Sequence, residues 1–91
     1  MRFSYTHHMP YTGIKKAGQD WPVSNKQFDP QKGSKLFNHY LEDKIAAEDA
    51  GFDWIGCNEH HMSPYGLMPN PNLVGAVVAN RTKTAGILQS G

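Results

Sequence analysis

Gly51-Phe52-Asp53-Trp54-Ile55-Gly56-Cys57-Asn58-Glu59-His60-His61 is the stretch on which the fold turns, because an apolar run ends there in three ionisable side chains. Strands of a parallel sheet read as short apolar runs, and in α/β folds ligands sit just beyond the carboxyl ends of such strands. Glu59, His60 and His61 stand at such an end. Imidazole titrates near neutrality and a neighbouring carboxylate can fix its tautomer, so the pattern suits proton transfer or metal ligation. The competing reading is a solvated strand-to-loop junction with no chemistry.

Before this strand the spacing predicts a helix ending at Gly51 as its cap. It begins either at Asp29-Pro30, with Asp as N-cap and Pro in the first turn, or at Ser34 after Gly33. Leu36, Phe37, Tyr40, Leu41, Ile45 and Ala47 share one half of its wheel, and Lys35, His39, Glu42, Asp43 and Asp49 the other. Lys44 and Glu48 intrude on the apolar half and read as an i to i+4 pair at the edge of the interface. Further upstream, Arg2 to His7 alternates and predicts a first strand, which also ends in histidines, His7-His8. Residues 9–32 between them carry loop chemistry, with Tyr11, Trp21 and Phe28 as aromatic anchors. A loop this long is commonly a functional lid.

Downstream, Met62 to Pro69 reads as a loop and Asn70-Pro71 as a second N-cap with a first-turn proline. The helix that follows is apolar on most sides, through Leu73, Val74, Ala76, Val77, Val78 and Ala79. That suits a helix packed between a sheet and its neighbours. Thr84 to Leu88 predicts a third strand, and the order describes two consecutive right-handed βαβ crossovers.

The 91 residues carry nine basic and eight acidic side chains, a formal charge of +1, which leaves no basic field for nucleic acid or anionic lipid. The start lacks the apolar core of a signal peptide, and the longest apolar run, Leu73 to Ala79, is too short to span a bilayer. The expectation is a cytoplasmic protein without a membrane or nucleic-acid partner. The single cysteine, Cys57, lies in an apolar strand and reads as an inert core thiol. Ordering the chain costs about 140 kcal/mol at about 1.5 kcal/mol per residue. Burial in a compact globule returns about the same at about 25 cal/mol per Å² of apolar surface.

Residues 47–53 (Ala-Glu-Asp-Ala-Gly-Phe-Asp), then Asn58-Glu59-His60-His61, then Tyr65-Gly66-Leu67-Met68-Pro69-Asn70-Pro71-Asn72-Leu73 resemble the bacterial luciferase-like flavin-dependent monooxygenases. The resemblance covers nearly the whole chain. It implies an α/β fold, the N-terminal βαβαβ portion of a (β/α)8 TIM barrel, with residues 1–91 as one partial domain that would be inactive alone. It implies oxidation of a small organic substrate by O2 and reduced FMN, with the flavin supplied by a separate reductase, in a full-length protein that forms a homodimer.

By the same resemblance His60 is the active-site histidine beside the flavin ring and Glu59 its neighbouring carboxylate. Ser90 and Gly91 stand at the flavin-facing end of the third strand, where many members carry a small Gly-Asn-Ala-like run. His8 and His61 border the substrate, with Trp21 anchoring a lid over it. If the extended geometry persists, His61 is expected on the opposite face of the strand from His60, since side chains alternate. Three alternatives stay open: a deazaflavin-dependent oxidoreductase of the same superfamily, a metal-dependent barrel hydrolase using the paired histidines with Glu59, and an inactive truncated fragment.

Overall fold

The computed structural model describes residues 1–15 and 22–91. In chain order these form β1 (Ser4–Thr6), one 3-10 turn (Asn25–Gln27), α1 (Pro30–Asp49), β2 (Trp54–Asn58), α2 (Pro71–Arg81) and β3 (Gly86–Ser90). The strands make one parallel sheet in the order β1-β2-β3. Trp54 pairs with Ser4 and Gly86, Gly56 with Thr6 and Leu88, and Asn58 with Ser90. The α/β assignment and the βαβαβ order therefore hold.

Local cap chemistry decides where both helices start. Asp29 accepts from the N–H groups of Gln31 and Lys32, and Asn70 from those of Asn72 and Leu73, with Pro30 and Pro71 in the first turns. Of the two starts open for α1, Asp29-Pro30 is the one taken. Gly33 lies inside the helix, where the Phe28 ring covers it so closely that a Cβ would come within 2.3 Å. Ala50 caps α1, and Gly51 follows with φ at +95°, the left-handed conformation that glycine adopts freely.

Ile55 and Cys57 of β2 are fully buried in one cluster with Tyr40, Leu41 and Ala47 of α1 and Val74 and Val78 of α2. Both helices thus cover the same face of the sheet. Alternation puts Trp54, Gly56 and Asn58 on the other face, in register with Ser4, Thr6 and Leu88. There Trp54 and Leu88 remain 36% and 47% exposed. One face of a parallel sheet is open, and the Cα radius of gyration, 14.0 Å, exceeds the roughly 12 Å of a compact domain of this length.

Three expectations need correction. Lys44 and Glu48 form no pair: Lys44 is fully buried, its Nζ donating to the carbonyls of Gly56 (2.6 Å) and His7 (3.4 Å), while Glu48 accepts from the N–H groups of Lys83, Thr84 and Ala85. Those amides are thereby withdrawn from pairing, and so β3 begins at Gly86, two residues later than the alternation suggested. Finally, α2 is not enclosed on all sides: Leu73 and Val77, one turn apart, are 67% and 40% exposed. Among the described residues no helix is long and apolar enough to cross a membrane.

The amide bonds from Ala85, Thr84 and Lys83 hold the Glu48 carboxyl down at about 2, against an ordinary 4.5. A depressed carboxyl adds stability that is complete above 4.5 and disappears as pH falls through about 2. Melts at about pH 6 and about pH 3 should therefore show a larger acid loss in the native chain than in Glu48→Gln. Equal acid losses in the two would remove Glu48 from this role.

Candidate functional site

β1 and β2 deliver two histidine pairs to one rim of the sheet, and a residue of unusual backbone follows each pair. Met9 and Met62 have φ of 50° and 64°, the only non-glycine residues with positive φ among those described. Each such conformation costs about 1–3 kcal/mol and persists only where the surroundings enforce it. Met9 is enforced from several sides. It is fully buried, its N–H donates to His7 Nδ1 (3.0 Å) and its carbonyl accepts from the Leu67 N–H (2.8 Å).

An acceptor at His7 Nδ1 fixes the neutral tautomer with its proton on Nε2. Burial, followed by the Lys44 ammonium, also lowers the pKa of His7. Pro10 bridges to Gly66, its carbonyl accepts from the Tyr40 hydroxyl (2.7 Å), and the Tyr11 hydroxyl accepts from the Asp29 N–H (3.0 Å). The start of the loop expected as a lid is thus part of the body. Trp21, its expected anchor, lies outside the described residues.

His8 and Asn58 meet across the two strand ends, with Nδ1 and Nδ2 2.6 Å apart. The His60 ring packs edge-on to His8 at 5.7 Å between centroids and against Tyr65 at 5.1 Å. Its backbone N–H donates to the Met68 carbonyl, closing the loop. Gly66 must lack a side chain here, since a Cβ would lie 2.9 Å from His60 Nδ1 and 3.1 Å from the His8 carbonyl. The end of β3 joins the same rim: Ser90 pairs with Asn58, and a Cβ on Gly91 would come within 2.7 Å of Glu59 Oε2.

Three buried side-chain atoms have no hydrogen-bond partner among the described residues: Asn58 Oδ1, His60 Nδ1 and Ser63 Oγ. Folding seldom leaves such atoms unpaired, because each costs about 1–3 kcal/mol. All three fall within residues 58–63, at the carboxyl end of β2 and the loop after it.

Glu59 does not serve His60. Its Oε1 accepts from His61 Nε2, so the carboxylate orients the second histidine of the pair. The expected separation of His60 and His61 onto opposite faces does not hold: β2 ends at Asn58, and both line one cleft of about 500 Å³ between α1 and the β2–α2 loop. Phe28, Phe37, Pro64, Leu67 and Pro69 supply its apolar wall.

Searches of family models, curated proteins and solved structures found no match.

His8, Glu59, His60, His61, Ser90 and Gly91 are therefore neighbours at the carboxyl ends of the strands. Among the described residues no three of His, Cys, Asp and Glu gather as a metal-ligating group. Cys57 is fully buried and burial pushes its thiol up, the opposite of what a nucleophile needs. The sequence reading passed over Asn58 and Ser63. Asn58 carried a usable signal, a polar side chain ending an apolar strand at the period-2 position opposite the core; nothing marked Ser63.

Proposed function

We propose that the chain is the N-terminal βαβαβ portion of a luciferase-like (β/α)8 barrel. The whole protein would oxidise a small organic substrate with O2 and reduced FMN, with His60 managing a proton at the flavin's reactive edge. The observation that carries this reading is the contact of His8 and His60 at the carboxyl ends of two adjacent parallel strands, where barrel enzymes place their sites. The winding agrees. Sequential strand order with both helices on one face is the pattern of a barrel wall, whereas doubly wound sheets reverse their order and carry helices on both faces. A barrel would also cover the exposed Trp54 and Leu88.

The residues present suit the ring half of a flavin. Asn58 Oδ1 and His60 Nδ1 lack protein partners among the described residues, and an isoalloxazine edge carries both donors and acceptors. Ser90 and Gly91 add little bulk beside them. When bound, the cofactor supplies the redox chemistry. His60 holds or moves a proton at Nδ1, and the apolar wall beyond it excludes water. The phosphate of FMN would be held by later loops of a barrel.

The test is to express the product of the complete reading frame and titrate it with FMN. The expected result is saturable binding together with oxygen consumption that depends on reduced flavin, and the absorption spectrum distinguishes FMN from a deazaflavin. A folded product that ignores flavin, or one whose activity follows bound zinc, would reject the proposal.

A further inference from the structure

His7, just past the end of β1, belongs neither to the wall of the cleft nor to the contact of His8 with His60, yet it holds backbone that borders both. Its Nδ1 accepts from the Met9 N–H at 3.0 Å, and Met9 is fully buried with φ at 50°. Two links run from here to the β2–α2 loop: the Met9 carbonyl accepts from the Leu67 N–H at 2.8 Å, and Pro10 bridges to Gly66. We propose that His7 is a pH-sensitive latch, which while neutral ties the chain after β1 to the β2–α2 loop and on protonation lets the two part.

An imidazolium carries a donor on each nitrogen, so once His7 is protonated no turn of the ring restores the bond from Met9. The Met9 N–H is then buried without a partner, which folded chains seldom tolerate. Its left-handed conformation also loses one of the contacts that enforce it. If Met9 and Pro10 withdraw, Leu67 and Gly66 lose their ties, and both line the cleft. Acid therefore loosens the cleft wall.

The ring is half-buried, so protons reach it. Tyr5 of β1 stacks on it at 6.3 Å between centroids, and Tyr40 of α1 tilts against it at 4.7 Å. Burial is the largest influence against its charge; the Lys44 ammonium and His39 of α1 and the adjacent His8 act in the same sense, and Asp43 of α1 opposes them. The closed chain thus holds His7 below its ordinary 6.5. The latch is at full strength above 6.5 and is lost as pH falls through the lowered value.

The test follows amide exchange of the isotopically labelled 91-residue chain at about pH 7.5 and about pH 5, with no flavin present, so its outcome is separate from the flavin reading. Protection of the Met9 and Leu67 amides should fall by about threefold or more at the lower pH, and there they should exchange well ahead of the β2 amides. His7→Asn places an amide oxygen where Nδ1 stands and does not titrate in this range, so its two amides should keep their protection within about twofold. In the native chain the neutral ring should carry its proton on Nε2, and the His7 ring and the Leu67 amide should titrate with one midpoint. Unchanged protection in the native chain, exchange of Met9 and Leu67 only together with β2, or an equal acid loss in His7→Asn overturns the latch. A neutral ring protonated on Nδ1, or separate midpoints, overturns it without recourse to the variant.

Discussion

Lys44→Ala is expected to lower the melting temperature of the chain by about 15 °C or more, the largest stability loss of any single side chain on α1. Truncation removes a buried four-carbon stem and leaves the Gly56 and His7 carbonyls without their donor. Emptying a buried site of that size costs about 2–5 kcal/mol, and each orphaned acceptor adds to it. At about 4–8 °C per kcal/mol for a domain of this length, a loss of about 3 kcal/mol gives the stated shift. Lys44→Met restores the stem but not the donor, and removes a buried charge whose desolvation was costly. It should lose less than half as much. A Lys44→Ala melt within about 3 °C of the native chain would refute the buried-donor role.

The same lysine gives a pH signature. Burial lowers its pKa from 10.5. Between the folded-state value and 10.5 the unfolded chain binds more protons, so this group makes stability rise with pH across that window. Tyr5 and Tyr40, raised above 10.0 by burial, act in the opposite sense. The difference between the native chain and Lys44→Met isolates the lysine, and it should change in the native chain's favour as the window is crossed.

Lys44 also illustrates what a sequence hides. Gly33, Tyr40, Leu41, Lys44 and Ala47 are the buried positions of α1, and Lys44 lies three residues after Leu41 and three before Ala47, so the lysine sits within the apolar stripe. Its residue type argued for the edge. Only the carbonyls of two other elements make the centre tolerable, and they come from positions 7 and 56. The start of β3 was misplaced for the same reason, because Glu48 claims the amides of residues 83–85 from across the fold. By contrast, Asn70-Pro71 and Gly51 were readable, and Asp29-Pro30 was one of two starts that the sequence left open, since a cap is made by a residue and its immediate neighbours. The parallel strand order was readable as well, because connections long enough to hold a helix force it.

The gathering of the candidate residues at one rim was legible and their pairing was not. An apolar strand ending in ionisable residues located the rim, but adjacency in sequence suggested that Glu59 would orient His60 and that His61 would face away. The second inference assumed that the strand continued past Asn58, whereas β2 ends there and both residues line one cleft. The first failed by alternation itself, which sets Glu59 beside His61, two residues on, and turns it away from its immediate neighbour His60.

On the flavin reading proposed above, the two histidines should differ in kind when each is replaced by alanine in the product of the complete reading frame. His60 has a buried Nδ1 with no protein partner among the described residues and stands between His8 and Tyr65 at the strand ends. His60→Ala should lower kcat by about 10² to 10⁴, the range of lost acid–base help, with flavin affinity nearly unchanged. His61 is exposed, fixed by Glu59 and turned to the cleft. His61→Ala should leave kcat within about threefold and raise KM about five- to tenfold, as expected when a binding hydrogen bond common to ground and transition states is lost. Steady-state kinetics with reduced FMN in excess separates the two effects. If His60→Ala kept kcat within about threefold of the native value, the proton role would belong elsewhere. If both variants lost kcat equally, the two rings would form one catalytic unit, and the division between rim and cleft would be wrong.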